Sequence, residues 1–265
     1  MSLVILTHWD LLLAASLVVL LAIISRRMRM GIEGQLLLAA SRTVIQLLLI
    51  GLVLKTLFSH VHLAWVSLLA VLMLLMAGRE VMARQKYRLS GWWGFGLGTS
   101  AMFVSSFSIT LIALNVIINV DPWYEPQYAI PLLGMMLGNT MNGISLGQDR
   151  LNQAAWEKSS IIEARLMLGW TWSQAISDLR KDSIRSGLMP IVNAMAAAGV
   201  VSLPGMMTGQ ILAGSPPMEA VKYQILIMFL IAAGTGFGTL VAVWFGSRRL
   251  FDERERLRLE RLSIK

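Results

Sequence analysis

Long apolar runs, separated by short polar and mostly basic stretches, set the pattern of this chain. A helix needs about 20 mainly apolar residues to cross the hydrocarbon of a bilayer. Seven runs reach or approach that length, at about 11–25 (extended upstream by Trp9), 36–57, 63–78, 91–118, 128–146, 187–214 and 220–246. The pattern predicts an all-α, polytopic transmembrane helical bundle of about seven spans, forming a single membrane domain over residues 1–265. Arginines follow the first run and no basic segment precedes it, which suits a retained span rather than a cleaved leader.

Between the fifth and sixth runs, residues 148–186 are too polar to span and too long for a simple turn. Their periodicity is helical, with an interruption at Gly169-Trp-Thr171. Leu151, Ala155, Ile162 and Leu166 make an apolar stripe, while Asp149, Arg150, Glu157 and Lys158 fall mainly on wet faces. Thr171 followed by Gln174 fits a capping box that opens a second helix. Two readings suit this shape: a surface that docks a soluble partner, or an amphipathic connector lying on the membrane.

Charge gives the bundle a direction. Arg26, Arg27 and Arg29 follow the first run, and Arg79, Arg84, Lys86 and Arg88 lie between the third and fourth. Arg150, Lys158, Arg165, Arg180, Lys181 and Arg185 occupy the long polar stretch. Arg248, Arg249, Arg254, Arg256, Arg258, Arg261 and Lys265 form the tail. These are 20 of the 23 basic residues, and seven alternating spans put all of them on one side. By the positive-inside rule that side is cytoplasmic, with the N-terminus outside, in a bacterial inner membrane. On the other side, His60 and His62, the 121–126 loop and Ser215-Pro-Pro217 read as outer turns, with Trp123, Tyr124 and Tyr128 as interfacial anchors.

Composition narrows the class further. The hydrophobic set makes up 56% of residues and charged residues 14%, against about 25% charged in soluble domains. The phospholipid bilayer is thus the first partner. The net charge of +8 is spread in short clusters, which leaves no basic domain for nucleic acid. Cysteine is absent, and with it any disulfide framework or thiolate metal site. The tail at 248–265 suits either contact with anionic headgroups or a solvated, disordered state.

Ionisable and amide groups inside the runs are candidate functional positions. Arg42 lies several residues into the second run, with Gln46 one turn later on the same face. It lines a conduit or gates the bundle, or else it snorkels to the headgroups. As a permanent cation it is a poor metal ligand. Met135 and Asn139 stand four apart and Asn139 and Asn142 three apart, so one helix face presents thioether and amide groups. Met206, Met207 and Gln210 repeat that chemistry beside Pro204 and Gly205, which can interrupt a helix and free carbonyls. Packing explains the same residues, because methionine fills gaps and amides knit membrane helices. No carboxylate or histidine cluster with ligand-like spacing lies in a span, so the sequence leaves the metal ligands unassigned. No HExxH, GxSxG or acid pair marks an intramembrane enzyme, and no GxxxxGK[ST] loop is present to hold nucleotide phosphates.

Several strings occur together in one order. They include Ser41-Arg-Thr-Val-Ile-Gln46, Pro131-Leu-Leu-Gly-Met-Met136 with Gly138-Asn139, Arg180-Lys-Asp-Ser-Ile-Arg185, Val201-Ser-Leu-Pro-Gly-Met-Met207 and Lys222-Tyr-Gln-Ile225. In these the chain resembles the FetB-like family of iron-export ABC transporter permeases, related to plant aluminium-tolerance permeases. Within the polar stretch, Glu163-Ala-Arg-Leu-Met-Leu-Gly169 resembles the loop by which ABC importer permeases dock into their ATPase, with Arg165 in place of a second alanine.

The resemblance implies a non-enzymatic permease subunit exporting iron or another metal ion. It also implies a separate cytoplasmic ABC ATPase that binds ATP and magnesium, in a complex of two permeases and two ATPases. This chain would bind no cofactor itself. In that setting Glu163 and Arg165 orient the docked helix, Gly169 makes the turn, and Leu168, Trp170 and Trp172 fill a groove on the ATPase. The candidate translocation path becomes Arg42, Gln46, Met135, Asn139, Asn142, Pro204, Gly205, Met206, Met207 and Gln210. A permease for a different small solute, or a membrane scaffold that recruits a cytoplasmic partner without transport, are the alternatives.

Overall fold

The computed structural model describes residues 7–59 and 61–264. His60 and Lys265, which figure in the outer-loop and tail readings, lie outside the described residues. The chain divides into two compact units, one of residues up to 61 with 212–214, the other of 62–211 with 215 onward.

The first unit is a helical hairpin. Helix α1 (His8–Arg27) starts where Asp10 accepts from both the backbone N–H and the hydroxyl of Thr7, each at 2.8 Å. This satisfies donors that a helix start leaves open. Arg29 and Gly31 turn the chain with positive φ of 55° and 72°, and α2 (Glu33–Ser59) packs back against α1. Leu57 is the one buried residue of α2 among those described.

The second unit holds the rest. Its helices are α3 (Leu63–Arg84), α4 (Trp92–Met102), α5 (Ser108–Ile112), α6 (Pro126–Glu157), α7 (Ser159–Met167), α8 (Trp172–Ala175), α9 (Ser177–Ala197), α10 (Gly205–Leu212) and α11 (Pro217–Arg249). Leu212, at the end of α10, groups with the first unit. Strand β1 (Tyr87–Leu89) precedes α4, and β2 (Leu262–Ile264) follows α11. Two π-helical turns, Phe103–Phe107 and Ala113–Ile117, flank α5, so Trp92–Ile117 runs as one continuous helix.

The chain is a helical membrane protein, with the two short strands as its departure from all-α. Among the described residues, five helices are long and apolar enough to cross a membrane: α1, α2, α3, Trp92–Ile117 and α11. The runs at 128–146 and 187–214 fold as α6 and as α9 with α10. Amides and small residues lower the hydropathy of α6, the charged residues of 178–185 lower that of α9, and α10 is only eight residues long. The sixth run is also broken, because α9 ends at Ala197, Gly199 turns with φ of 81°, and α10 starts at Gly205.

Helices α6, α9 and α11 meet at a seam of small residues. A Cβ on Gly187 would lie 2.5 Å from the Gly143 carbonyl oxygen, and one on Gly143 would lie 2.6 Å from Thr235. Glycine at both positions lets the two backbones nearly touch, the packing that membrane bundles favour. Thr140, Ser183, Thr235 and Thr239 are buried along this seam, so it is filled by hydroxyls rather than open.

Residues 148–186 do not form a separate element. Helix α6 continues unbroken through Gln148 to Glu157, and α9 begins at Ser177 and enters the bundle directly. Gln148 and Asn152 are polar yet buried: Gln148 donates to the carbonyl of Ala242, and Asn152 to that of Tyr87 at 3.0 Å. Leu151, Ala155 and Ile162 are buried in one cluster with Ile176, Leu179, Leu250 and Phe251, and Leu166 packs against it. The predicted stripe is therefore the inner face of α6 and α7, turned toward the protein.

The tail is folded. Strand β2 pairs antiparallel with β1, matching Leu89 with Leu262 and Arg88 with Ser263. Before it, Asp252 accepts from the backbone N–H of Arg254 and of Arg256 at 2.9 and 2.8 Å, and from the guanidinium groups of Arg256 and Arg258. The Arg256 N–H, foremost among these, holds the Asp252 carboxyl down at about 2.

Candidate functional site

Within 148–186, residues 158–176 leave the long helices, and their turn is built locally. Helix α7 closes on Gly169, whose φ of 87° is the left-handed conformation that glycine adopts freely. The N–H of Trp170 donates to the Arg165 carbonyl at 3.1 Å, and that of Gly169 to Leu166 at 3.0 Å, which together make a Schellman closure. The expected capping box is present. Gln174 Oε1 accepts from the Thr171 N–H at 3.0 Å, and the Gln174 N–H donates to Thr171 Oγ1 at 3.4 Å.

The six candidate coupling residues divide between outside and inside. Glu163 is exposed, and Leu168 is 78% exposed next to Met167 at 83%. Two adjacent apolar side chains are thus bare at a polar turn. Trp170 is partly exposed, and the Arg165 guanidinium stands 5.3 Å from its ring centroid. Arg165 also donates to the Ala175 carbonyl at 2.9 Å and pairs with Asp178 at 3.0 Å. It thus ties the end of α7 to α8 and α9, a role inside the chain.

Trp172 turns inward. Its ring lies against Phe251 and Trp244 at centroid distances of 5.9 and 6.4 Å, with Arg248 at 5.2 Å, and the Trp172 backbone N–H donates to the Glu255 carboxylate at 3.0 Å. Filling a partner's groove would need Trp172 to leave this packing. Met167, Asp178 and Glu255 were the residues that sequence reasoning missed. Asp178 and Glu255 are set by folding alone, whereas Met167 stood next to a candidate and needed only the helix end to be placed.

The conduit candidates are spread over three helices. Arg42 and Gln46 are exposed on α2. On α6, Asn139 donates to the Met135 carbonyl at 2.8 Å, and the exposed Asn142 accepts from Arg84. A guanidinium on that amide oxygen keeps a metal cation from it until Arg84 moves. On α10, the Met207 N–H donates to the buried Gln224 of α11 at 3.3 Å. The Gln210 side-chain oxygen is buried with no hydrogen-bond partner among the described residues. Pro204 accepts from Thr208 at 3.1 Å across the start of α10, and Gly205 and Met206 follow it. No hydrogen bond joins the α6 set to the α10 set among the described residues. Nor, among them, does any group of three or more histidines and carboxylates come together to hold a metal.

Known proteins resemble this chain over nearly its whole length. It is 34% identical to "Probable iron export permease protein FetB" of Escherichia coli K12, over 98% of this chain and 98% of that protein. It is 42% identical to "UPF0014 membrane protein slr1647" of Synechocystis, over 86% and 87%. With "Protein ALUMINUM SENSITIVE 3" of Arabidopsis thaliana it shares 32% identity over 87% and 83%. No solved structure matches it. The family described as "Uncharacterised protein family (UPF0014)" matches residues 8–251, and the chain belongs to that family of membrane proteins.

Proposed function

We propose that this chain is the membrane-spanning permease subunit of an ABC transporter that exports iron or a related metal ion. A separate cytoplasmic ATPase would bind ATP and magnesium, with two copies of each subunit in the working complex. The similarity to FetB along 98% of both chains carries this reading. The exposed Met167–Leu168 tip supports it, because a turn fixed by Arg165 and Gly169 offers a partner an apolar knob on a rigid base. On this reading α6 and α9–α10 supply the fifth and sixth spans and α11 the seventh, and the basic residues face the cytoplasm in a bacterial inner membrane, with the N-terminus outside.

ATPase closure would push on the α7–α8 turn. That turn is packed onto the ends of α6 and α9, so its movement would tilt two helices that touch at Gly143 and Gly187. Neutral donors, the thioethers and amides of α6 and α10, are the candidate contacts for the cargo. Thioethers suit softer ions, so the cargo class is broader than iron alone.

The test reconstitutes the chain with its candidate ATPase in sealed vesicles and follows ATP-dependent movement of iron, zinc, manganese and aluminium. Metal-dependent flux is expected. No flux from a complex that forms and hydrolyses ATP would overturn the metal assignment. No complex at all would overturn the ABC reading.

A further inference from the structure

The second unit contains an open-sided cavity of about 750 Å³ between Trp92–Ile117 and α11. We propose that it holds one anionic phospholipid, with an acyl chain lying in the groove and the headgroup phosphate at its basic end. This inference stands apart from the transport reading, because it uses only the groove and its charges.

The walls are apolar along the helices. Gly96, Leu97 and Val104 line one side, and Val241, Ala242 and Phe245 the other. Both helices are apolar enough to lie in a bilayer, so a lipid chain can enter from the side. Glycine at 96 widens the groove, since a Cβ built there meets nothing within 4 Å.

The chemistry changes where the helices end. Arg248, Arg249 and Arg261 line the mouth together with Trp92 and Trp93, the aromatic type that settles at headgroup level. The Arg249 guanidinium stacks over Trp93 at 4.3 Å and has no hydrogen bond or ion pair among the described residues. Arg261 is fixed beside it by donating to the carbonyls of Arg249 and Phe251 at 2.8 and 3.0 Å. Two acids share the rim. Asp252 is already engaged by Arg256 and Arg258, and Glu253 is exposed at the edge. The mouth therefore keeps net positive charge facing the level of the phosphates. A basic mouth over an apolar groove matches one anionic headgroup over one chain.

The lipid-stripped full chain in mild detergent is titrated with phosphatidylglycerol or phosphatidylcholine, and bound lipid is counted by native mass spectrometry. Phosphatidylglycerol should be retained in preference to phosphatidylcholine. Arg249→Gln should weaken its binding about fivefold, one basic residue's share at a membrane surface. Gly96→Trp should remove one bound lipid of either kind while helical circular dichroism is kept, and Ser100→Leu on the same wall repeats this arm if Gly96→Trp does not fold. Equal binding of both lipids, unmoved by Arg249→Gln, would overturn the headgroup assignment. Unchanged lipid counts in the wall variants would overturn the groove. The chain has no cysteine, so Ser100→Cys reports on a second copy. Disulfide-linked dimers in phosphatidylglycerol bilayers would put another protein in the groove and overturn the lipid.

Discussion

Helices α2 and α11 are nearly alike in hydropathy, yet they are used in opposite ways. None of the apolar window of α2 is buried, against 44% of that of α11. The difference lies in residue size. Helix α11 carries Gly234, Thr235, Gly238, Thr239 and Gly246 along its buried face, whereas 47–54 of α2 is leucine, isoleucine and valine apart from the exposed Gly51. Lipid is as apolar as leucine, so apolarity alone does not bring membrane helices together. Small residues do, by letting backbones and hydroxyls approach.

The comparison can be broken most sharply at a glycine. Gly143→Leu should cost about 3 kcal/mol or more by overpacking, since the adjacent atoms include the Gly187 backbone. Detergent melting followed by size exclusion should show a strongly lowered midpoint or no folded protein. The matching change on α2, Gly51→Leu, meets open space and should stay within about 0.5 kcal/mol. Equal losses at the two positions would remove the distinction.

Smaller effects sharpen it at the α7–α8 turn. Gly169→Ala meets no atom but must hold a left-handed backbone, and should cost about 1–2 kcal/mol. Faster hydrogen exchange across 165–172, with the bundle unchanged, is the expected reading. Arg165→Ala should loosen the same turn by about 1 kcal/mol, discounted because Asp178 is largely exposed. Exchange should then rise at Ala175–Asp178 as well.

The smallest effect is acid-dependent. The Asp252 carboxyl has a folded value of about 2, below its ordinary 3.8, so it stabilises the tail fully above about pH 4. That contribution is lost as pH falls toward 2. A carbon-detected titration should place the Asp252 midpoint near 2, and a midpoint near 3.8 would mean that the Arg256 contacts are absent in solution.

Much of this was legible in the chain. Each of the seven apolar runs is helical, the sixth with a break at 198–204; the break at Gly169 and the Thr171–Gln174 box lie where the pattern put them, and the stripe from Leu151 to Leu166 is apolar for a reason. The reason itself was hidden. Gln148 and Asn152 read as the start of a wet segment, because their partners at Ala242 and Tyr87 are remote in sequence. Trp172 read as an outward anchor for the same cause, since Phe251 and Glu255 come from the tail. The tail's strand is three residues long and carries no periodicity to find. Local chemistry reports helices well, whereas contacts across long separations leave almost no local trace.

The pairing of β1 with β2 also sets an order of assembly. Arg88 and Ser263 are 175 residues apart, so β1 is synthesised and stays unpaired while α4 to α11 are still being made and inserted. The clasp closes only after α11 has delivered the following segment back to the start of α4. It works as a late seal on a bundle already in place. A chain stopped before Leu262 would insert its helices yet leave the backbone groups of β1 without their partner strand.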